Sequence, residues 1–237
     1  MIKGILFDLD GSLLPVSQES FTENYFALLG EWAAKKGFDP KAFLDALWKA
    51  TKYMYKNDGA CSNAEVFWRE FPRLLGRELP GLEQELEGFY ARDFGRLEGI
   101  LGPLPDRSPL LRRLKQRGFR LALASNPLFP RIAMLQRLRW LGLSPEDFDL
   151  IPDYSLCCFA KPSPGYYREL AAALSLSPAE CLMVGNSLSE DALPMQSLGG
   201  QAFVLTELLE GDATGLESFP HGSWQQLEDW LAELAQP

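Results

Sequence analysis

A short apolar run near the start of the chain leads into two aspartates: Lys3-Gly4-Ile5-Leu6-Phe7-Asp8-Leu9-Asp10-Gly11-Ser12. An apolar run of this length is typical of a strand buried on both faces of a parallel sheet. In such sheets, ligands bind beyond the carboxyl ends of the strands. Asp8 and Asp10 are two residues apart, so in an extended segment both carboxylates point the same way. The stretch therefore predicts a functional site at its end, where Gly11 lets the backbone turn sharply.

The remainder of the chain alternates predicted strands with predicted helices, which is typical of an α/β fold. Short apolar runs predict strands, and longer amphipathic segments that end at glycine predict helices. We expect a parallel sheet with helices on both faces. The further predicted strands are residues 119–124, 148–151, 181–184 and 202–205. The predicted helices are residues 108–117, 129–141, 163–174, 189–198 and 224–234.

An early part of the chain, residues 16–95, is rich in aromatic residues and poor in proline. Its apolar side chains recur with a 3.6-residue period from Phe21 to Trp32, which predicts a helix. Helical segments are predicted to open near residues 21, 40, 63 and 82. The sequence thus predicts an all-helical cap of residues 16–95, inserted into an α/β core of residues 1–15 and 96–237.

The net charge, the apolar runs and the cysteine spacing limit what the protein is expected to bind and where it is located. The 237 residues carry a formal net charge of −9 and a pI of about 4.8, which disfavour binding to nucleic acid or to an anionic membrane. No apolar run approaches the roughly 18 residues that span a bilayer, and the first residues lack a signal-peptide pattern. We expect a cytoplasmic protein. The four cysteines form no Cys-x-x-Cys pair, which argues for free thiols rather than a zinc site.

Two polar motifs follow later predicted strands, and a third precedes a predicted helix. Each has an ordinary structural explanation: a turn, an exposed lysine or a helix cap. Each also offers chemistry suited to an anion or a hard cation. Their occurrence in chain order, at the predicted strand ends, favours one shared site. The motifs are Ser125-Asn126, Lys161-Pro162-Ser163-Pro164 and Gly185-Asn186-Ser187-Leu188-Ser189-Glu190-Asp191.

Together with Asp8-x-Asp10-Gly11-Ser12, these motifs resemble the four motifs of the haloacid dehalogenase (HAD) superfamily of hydrolases. The helical insertion between the first and second motifs is similar to the type 1 cap of that superfamily. The resemblance covers essentially the whole chain and implies a Rossmann-like α/β core. It implies that Asp8 is the nucleophile that forms an aspartyl-phosphate, and that Asp10 protonates the leaving group and then activates water.

The resemblance also implies the binding residues. Ser125 and Asn126 would bind the transferring phosphoryl group, and Lys161 would balance its charge. Mg²⁺ would be held by the Asp8 carboxylate, the Asp10 backbone carbonyl and a side chain of the fourth motif. The candidates in that motif are Asn186 and Asp191, with Glu190 as the rival acid.

One position departs from the pattern of the superfamily, since Asn186 stands where an aspartate is usual. A carboxamide oxygen still ligates Mg²⁺ but brings no charge, so we expect weaker Mg²⁺ binding. Asp10 favours phosphate chemistry over dehalogenation, because a halide leaves without protonation. The predicted function is a Mg²⁺-dependent phosphatase acting on a small soluble phosphorylated metabolite. A phosphomutase or phosphotransferase of the same fold and a non-catalytic binding protein remain alternatives.

The cap offers two interpretations of its second predicted helix. Lys49, Lys52 and Lys56 share one face of that helix, with Trp48, Tyr53 and Tyr55 among them. They form either a basic, aromatic wall over an anionic or ring-bearing substrate, or a solvated lysine face beside core aromatics.

Overall fold

The fold is centred on a parallel five-stranded sheet in the order β2–β1–β3–β4–β5. This is seen in a computed structural model of the chain that describes residues 1–76 and 80–237. Residues 77–79 fall in the predicted cap and lie outside the described residues. The strands are β1 Gly4–Phe7, β2 Arg120–Leu123, β3 Cys181–Gly185, β4 Gln201–Leu205 and β5 His221–Gly222.

Nine α-helices occur in the described ranges. They are α1 Gln18–Lys35, α2 Pro40–Tyr55, α3 Asn63–Leu75, α4 Leu82–Arg92, α5 Ser108–Gln116, α6 Arg131–Trp140, α7 Pro164–Ala173, α8 Leu193–Ser197 and α9 Trp224–Glu233. The predicted α/β fold, a parallel sheet covered by helices, is confirmed. No helix of the described residues is long and apolar enough to cross a bilayer.

The register of the central strands places the predicted motifs at one edge of the sheet. Phe7 at the end of β1 lies opposite Leu123 of β2 and Val184 of β3. The residues that follow these three strands therefore emerge side by side. Strand β1 contributes side chains to both apolar clusters, because alternate side chains face opposite sides of a sheet. Ile5 and Phe7 pack in one apolar cluster, and Leu6 packs in the other.

Two predicted elements differ from the structure. The predicted helix 189–198 is split into a π-helical turn, Leu188–Ala192, and the short α8. The Asp191 carboxylate folds back and accepts a hydrogen bond from the Ser187 N–H at 3.0 Å, which accompanies the wider turn. The predicted strand 148–151 is reduced to one bridge between Leu150 and Ala122, since Pro152 follows and cannot extend it.

The predicted helical insertion forms α1 to α4. N-cap residues explain where three of these helices begin. The side chains of Ser17, Asp39 and Ser62 each accept a hydrogen bond from the first turn of the following helix. The buried aromatic residues of these helices join the same apolar cluster as β1. Phe21 and Tyr25 of α1, for example, lie 6.3 and 5.2 Å from the ring of Phe129 outside the insertion. The division into a core and a cap at residues 15 and 95 stays a prediction.

We predict that Gly11→Ala lowers the free energy of unfolding by about 2–4 kcal/mol. Gly11 has a φ of +76°, and an added Cβ would lie 2.2 Å from Nδ2 of Asn186. Gly37→Ala is the matched control, because Gly37 has a φ of +78° with nothing within 4 Å of an added Cβ. It should cost only about 1 kcal/mol, the backbone penalty alone. Urea titration of both variants measures the difference, and equal losses would contradict the steric contribution at Gly11.

Candidate active site

A lysine ammonium buried between two carboxylates lies at the centre of the site. Nζ of Lys161 is 2.7 Å from Oδ1 of Asp8 and 2.6 Å from Oδ1 of Asp191. Lys161 is only 2% exposed, and both aspartates are buried. Because charges buried this deeply are costly unless paired, the three groups hold one another in place.

Each member of this triad comes from a different part of the chain. Asp8 follows β1, and its N–H donates to the Val184 carbonyl of the neighbouring strand at 2.8 Å. Lys161 precedes α7 and is joined to Pro162 by a cis peptide bond. Asp191 lies in the π-helical turn after β3, and its carboxylate packs on Gly185. An added Cβ at Gly185 would lie 2.2 Å from Oδ2 of Asp191, so only glycine leaves room for this contact.

The ionisation of the triad follows from burial and charge. Burial opposes the ammonium form of Lys161, but Coulombic attraction to Asp191 and Asp8 exceeds it, so its pKa is raised. Burial, added to repulsion from Asp8, raises the pKa of Asp191 against the opposing attraction of Lys161. The site therefore keeps a firm positive charge next to Asp8.

Asp10 has a different partner, a fully buried arginine. Nη1 of Arg137 donates to Oδ2 of Asp10 at 3.0 Å, and Arg137 is 0% exposed. Burial raises the pKa of Asp10, opposed by Arg137 and reinforced by Asp8. Oδ1 of Asp10 is buried with no hydrogen-bond partner among the described residues. This leaves one carboxylate oxygen of Asp10 free of the ion pair.

Two aromatic rings enclose the guanidinium of Arg137. Its Cζ lies 4.2 Å from the ring centroid of Phe21 and 4.4 Å from that of Phe129. Nε and Nη2 have no hydrogen-bond partner among the described residues, and the ring faces supply the compensating interaction. Phe21 belongs to α1 and Phe129 to the loop between β2 and α6, so both the helical insertion and the α/β part of the chain hold Arg137 in place.

Ser125 and Asn126 follow β2 and line the same cavity. The Ser125 carbonyl accepts a hydrogen bond from the hydroxyl of Tyr166 at 2.6 Å. Oδ1 of Asn126 accepts from the N–H of Lys161 at 3.2 Å, and its Nδ2 donates to the hydroxyl of Tyr55 at 3.4 Å. Asn126 is therefore held by groups on both sides. The Ser125 hydroxyl has no protein hydrogen-bond partner in the described ranges, and Ser125 lines the cavity.

The predicted metal ligands lie around the start of this cavity. Oδ1 of Asn186 accepts from the Ser12 hydroxyl at 3.3 Å, and its Nδ2 donates to the Leu208 carbonyl at 2.6 Å. The amide is thus oriented with its oxygen toward Ser12, and this oxygen keeps a second lone pair. No described donor bonds the Asp10 carbonyl oxygen or Oδ2 of Asp8. A carboxylate, a carbonyl and a carboxamide oxygen form a donor set that suits Mg²⁺.

The acids of the fourth motif differ in what they contact. Both carboxylate oxygens of Asp191 have protein partners, Lys161 and the Ser187 N–H. The side chain of Glu190 lines the cavity, and burial raises its pKa. Within the described part of the chain, no three acidic, histidine or cysteine side chains converge to hold a metal by themselves. The metal roles of Asp8, Asp10, Asn186 and Asp191 stay predictions.

A cavity of about 150 Å³ extends from these residues between α1, α2, α3 and α4. Trp48 and Tyr55 of α2 line it, together with Trp68 of α3. Lys49, Lys52 and Lys56 do not line it and are exposed, so the interpretation as a solvated lysine face holds. Nζ of Lys52 lies 5.4 Å from the Trp48 ring on the outer side.

The sequence did not predict three residues of the site, Arg137, Tyr166 and Glu210. Arg137 carries no local signal, since it sits in a helix rich in arginine. Tyr166 followed the quoted lysine motif but had no predicted partner. Glu210 reaches the cavity because its N–H donates to the Asn186 carbonyl at 2.8 Å, a contact that no pattern in the sequence announces.

Comparisons with known proteins point to one family. The family model of haloacid dehalogenase-like hydrolases matches residues 2–199. Glyceraldehyde 3-phosphate phosphatase of Methanothermobacter thermautotrophicus is 29% identical over 119 residues, 50% of this chain and 51% of that protein. The chain thus spans about half of that relative. Protein CbbY of Cereibacter sphaeroides is 26% identical over 196 residues, 80% of this chain and 78% of its own.

Solved structures share the fold. A HAD phosphatase from Thermococcus onnurineus superposes with a TM-score of 0.60 at 23% identity, over 97% of this chain and 98% of its own. Other structures with this fold are named as dehalogenases, so the fold alone leaves the reaction open.

We predict that Arg137→Met lowers the free energy of unfolding by about 3 kcal/mol, because it leaves the Asp10 carboxylate buried and unpaired. Met keeps most of the apolar contact with the two rings. Asp10→Asn in the same background should recover part of the loss, with a coupling of about 1–3 kcal/mol in a double-mutant cycle measured by urea denaturation. Additive effects of the two substitutions would argue against the ion pair.

Proposed function

The chain belongs to the haloacid dehalogenase-like hydrolase family, and from this premise we propose that it is a Mg²⁺-dependent phosphatase that hydrolyses a small phosphomonoester through an aspartyl-phosphate. The observation that carries the proposal is the contact of the Lys161 ammonium with Asp8 at 2.7 Å. It leaves Oδ2 of Asp8 without a described partner, at the end of a cavity large enough for a small ester.

The first chemical step is attack of an Asp8 carboxylate oxygen on phosphorus. A new P–O bond forms to Asp8 as the ester P–O bond breaks, and the leaving oxygen takes a proton. Repulsion between the carboxylate and the phosphate dianion opposes this step, and the adjacent ammonium of Lys161 offsets it. The Ser125 hydroxyl and the backbone N–H groups beside it would hold the phosphoryl oxygens.

Asp10 supplies the proton in this proposal. Burial raises its pKa, which favours the protonated form that a general acid requires. After the alcohol departs, Asp10 is a carboxylate and takes a proton from the water that attacks the phosphorus of the aspartyl-phosphate. Inorganic phosphate leaves, and Asp8 and the protonated Asp10 are restored. The hydrogen bond from Nη1 of Arg137 holds the carboxyl group of Asp10 in one orientation, and it becomes an ion pair once Asp10 has given up its proton.

The Asp8 carboxylate, the Asp10 carbonyl oxygen and Oδ1 of Asn186 would hold the Mg²⁺, with Asp191 as an indirect ligand because its own oxygens are occupied. When bound, Mg²⁺ neutralises charge on the phosphoryl oxygens.

The comparisons support water as the acceptor. Two relatives are named as phosphatases that act on glyceraldehyde 3-phosphate, and a solved CbbY structure contains xylulose 1,5-bisphosphate. We propose by analogy that this chain also acts on a small phosphorylated metabolite.

Asp8→Asn should abolish phosphate release, lowering kcat at least about 10³-fold, because the carboxamide is a poor nucleophile. The assay follows inorganic phosphate released from a panel of phosphorylated metabolites with Mg²⁺. Asp212→Asn, an exposed aspartate in a surface turn, is the matched control and should leave the rate unchanged. Full activity of Asp8→Asn would refute the mechanism. Phosphate appearing on a second sugar hydroxyl, rather than free in solution, would identify a mutase.

Asn186→Asp should tighten Mg²⁺ binding by roughly tenfold, because it adds a charge to the donor set. The same change removes the hydrogen bond from Nδ2 to the Leu208 carbonyl and should lower the free energy of unfolding by about 1 kcal/mol. Calorimetric titration of both proteins with Mg²⁺ measures the first effect, and urea denaturation measures the second. Equal Mg²⁺ affinities would count against Asn186 as a ligand.

A further inference from the structure

The cavity beside Asp8 has an aromatic wall. Thirty of the described residues line it, and ten of these are Phe, Tyr or Trp. They include Tyr25, Phe26, Trp48, Tyr55, Trp68 and Tyr154. The rings belong mostly to α1, α2 and α3, opposite the strand ends that carry Asp8 and Ser125. An ester bound with its phosphate at Asp8 would therefore place its alcohol portion against aromatic surface.

The charged residues of this cavity are mostly acidic. Among the described residues that line it, seven are aspartate or glutamate, whereas Lys161 and Arg137 are the basic ones. Glu83 and Glu87 lie four residues apart on α4, on the side of the cavity formed by the helical insertion. A leaving group that carried a second phosphate or a carboxylate would be repelled there.

Neither basic residue is available to a second anion. Lys161 is committed to Asp8 and Asp191 at 2.7 and 2.6 Å. The guanidinium of Arg137 bonds Asp10 and is covered by the rings of Phe21 and Phe129. Its two nitrogen atoms without a partner among the described residues, Nε and Nη2, are buried. The lysines on the outer face of α2 do not line the cavity either.

From this lining we infer the chemical class of the substrate: a phosphomonoester whose alcohol carries an aromatic ring and no second negative charge. The inference rests on the proposed phosphatase function and adds its specificity. The ring packs against the aromatic wall in offset or edge-to-face contact, as the lining rings do with one another. Phe26 and Trp48 already pair edge-on, at 6.0 Å between centroids and 78° between planes.

The test compares three alkyl phosphates whose leaving groups are all primary alcohols. They are 2-phenylethyl phosphate, glycerol 3-phosphate and 1,3-propanediol bisphosphate. We expect kcat/KM for 2-phenylethyl phosphate to exceed that for each of the other two by about 10- to 100-fold. A value for either competitor that equals or exceeds that for 2-phenylethyl phosphate would overturn the inference.

The failure of the inference differs from the failure of the proposed function. Phosphate release from an activated ester such as 4-nitrophenyl phosphate, lost in Asp8→Asn, establishes the phosphatase regardless of preference. If that activity exists and the ring preference does not, only the inference fails. If no phosphate is released from any of these esters, the proposed function fails and the specificity falls with it.

A charge reversal at the cavity tests the second half of the inference. Glu87→Lys should raise kcat/KM for 1,3-propanediol bisphosphate by about 3- to 10-fold at low salt, and added salt should reduce the gain. Glu85→Lys makes the same charge change on the same helix but outside the cavity, at an exposed residue paired with Lys36. This control should leave kcat/KM unchanged. Equal gains in both variants would show a general field effect and contradict a local exclusion of anions.

Discussion

The cost of burying the Lys161 ammonium sets the geometry of the whole sheet edge. A buried ammonium is stable only with anionic partners, and here it has two, Asp8 and Asp191. Asp8 fixes the end of β1, and Asp191 requires the wide turn after β3. Gly185 leaves the space that this turn needs. Three distant segments therefore meet at one point, and the Asp8 carboxylate lies beside a fixed positive charge.

A second buried cation links this edge to the helical insertion. The guanidinium of Arg137 forms an ion pair with Asp10. The ring of Phe21 in α1 covers one face of this guanidinium. Any movement of α1 relative to the sheet would uncover the guanidinium and change the support of Asp10. The packing of the insertion and the orientation of the proposed general acid are thus parts of one structure. The apolar cluster is likewise continuous from β1 into α1.

Local patterns in the sequence predicted the sheet, most helices and the polar residues at the strand ends, since each depends on short-range periodicity or on a turn. The remainder depends on contacts between distant residues. Arg137 lies among other arginines in α6, and only the approach of Phe21 and Asp10 distinguishes it. The split of the predicted helix 189–198 follows from the Asp191 side chain bonding back to Ser187. The sequence does not determine which face of α2 lines the cavity, because this depends on how the helix packs against the rest of the chain. For that reason the sequence left open whether the lysines of α2 face the cavity or the solvent.

The cavity is acidic, so the proposed Mg²⁺ would have to neutralise more negative charge than that of Asp8 alone. Lys161 is already shared by two carboxylates, so the triad carries a net negative charge before any phosphate arrives. Glu190 and Glu210 line the same cavity, and burial and the neighbouring carboxylates raise the pKa of both, as expected where negative charge is crowded. Asn186 contributes an oxygen but no further charge. Because two carboxylates share the Lys161 ammonium, a phosphate dianion would depend for further charge neutralisation on the Mg²⁺ that the site is proposed to hold. The aromatic wall would bind the alcohol portion of the ester through ring contacts that do not depend on charge. An acidic cavity can provide such contacts, whereas it cannot attract a second anion.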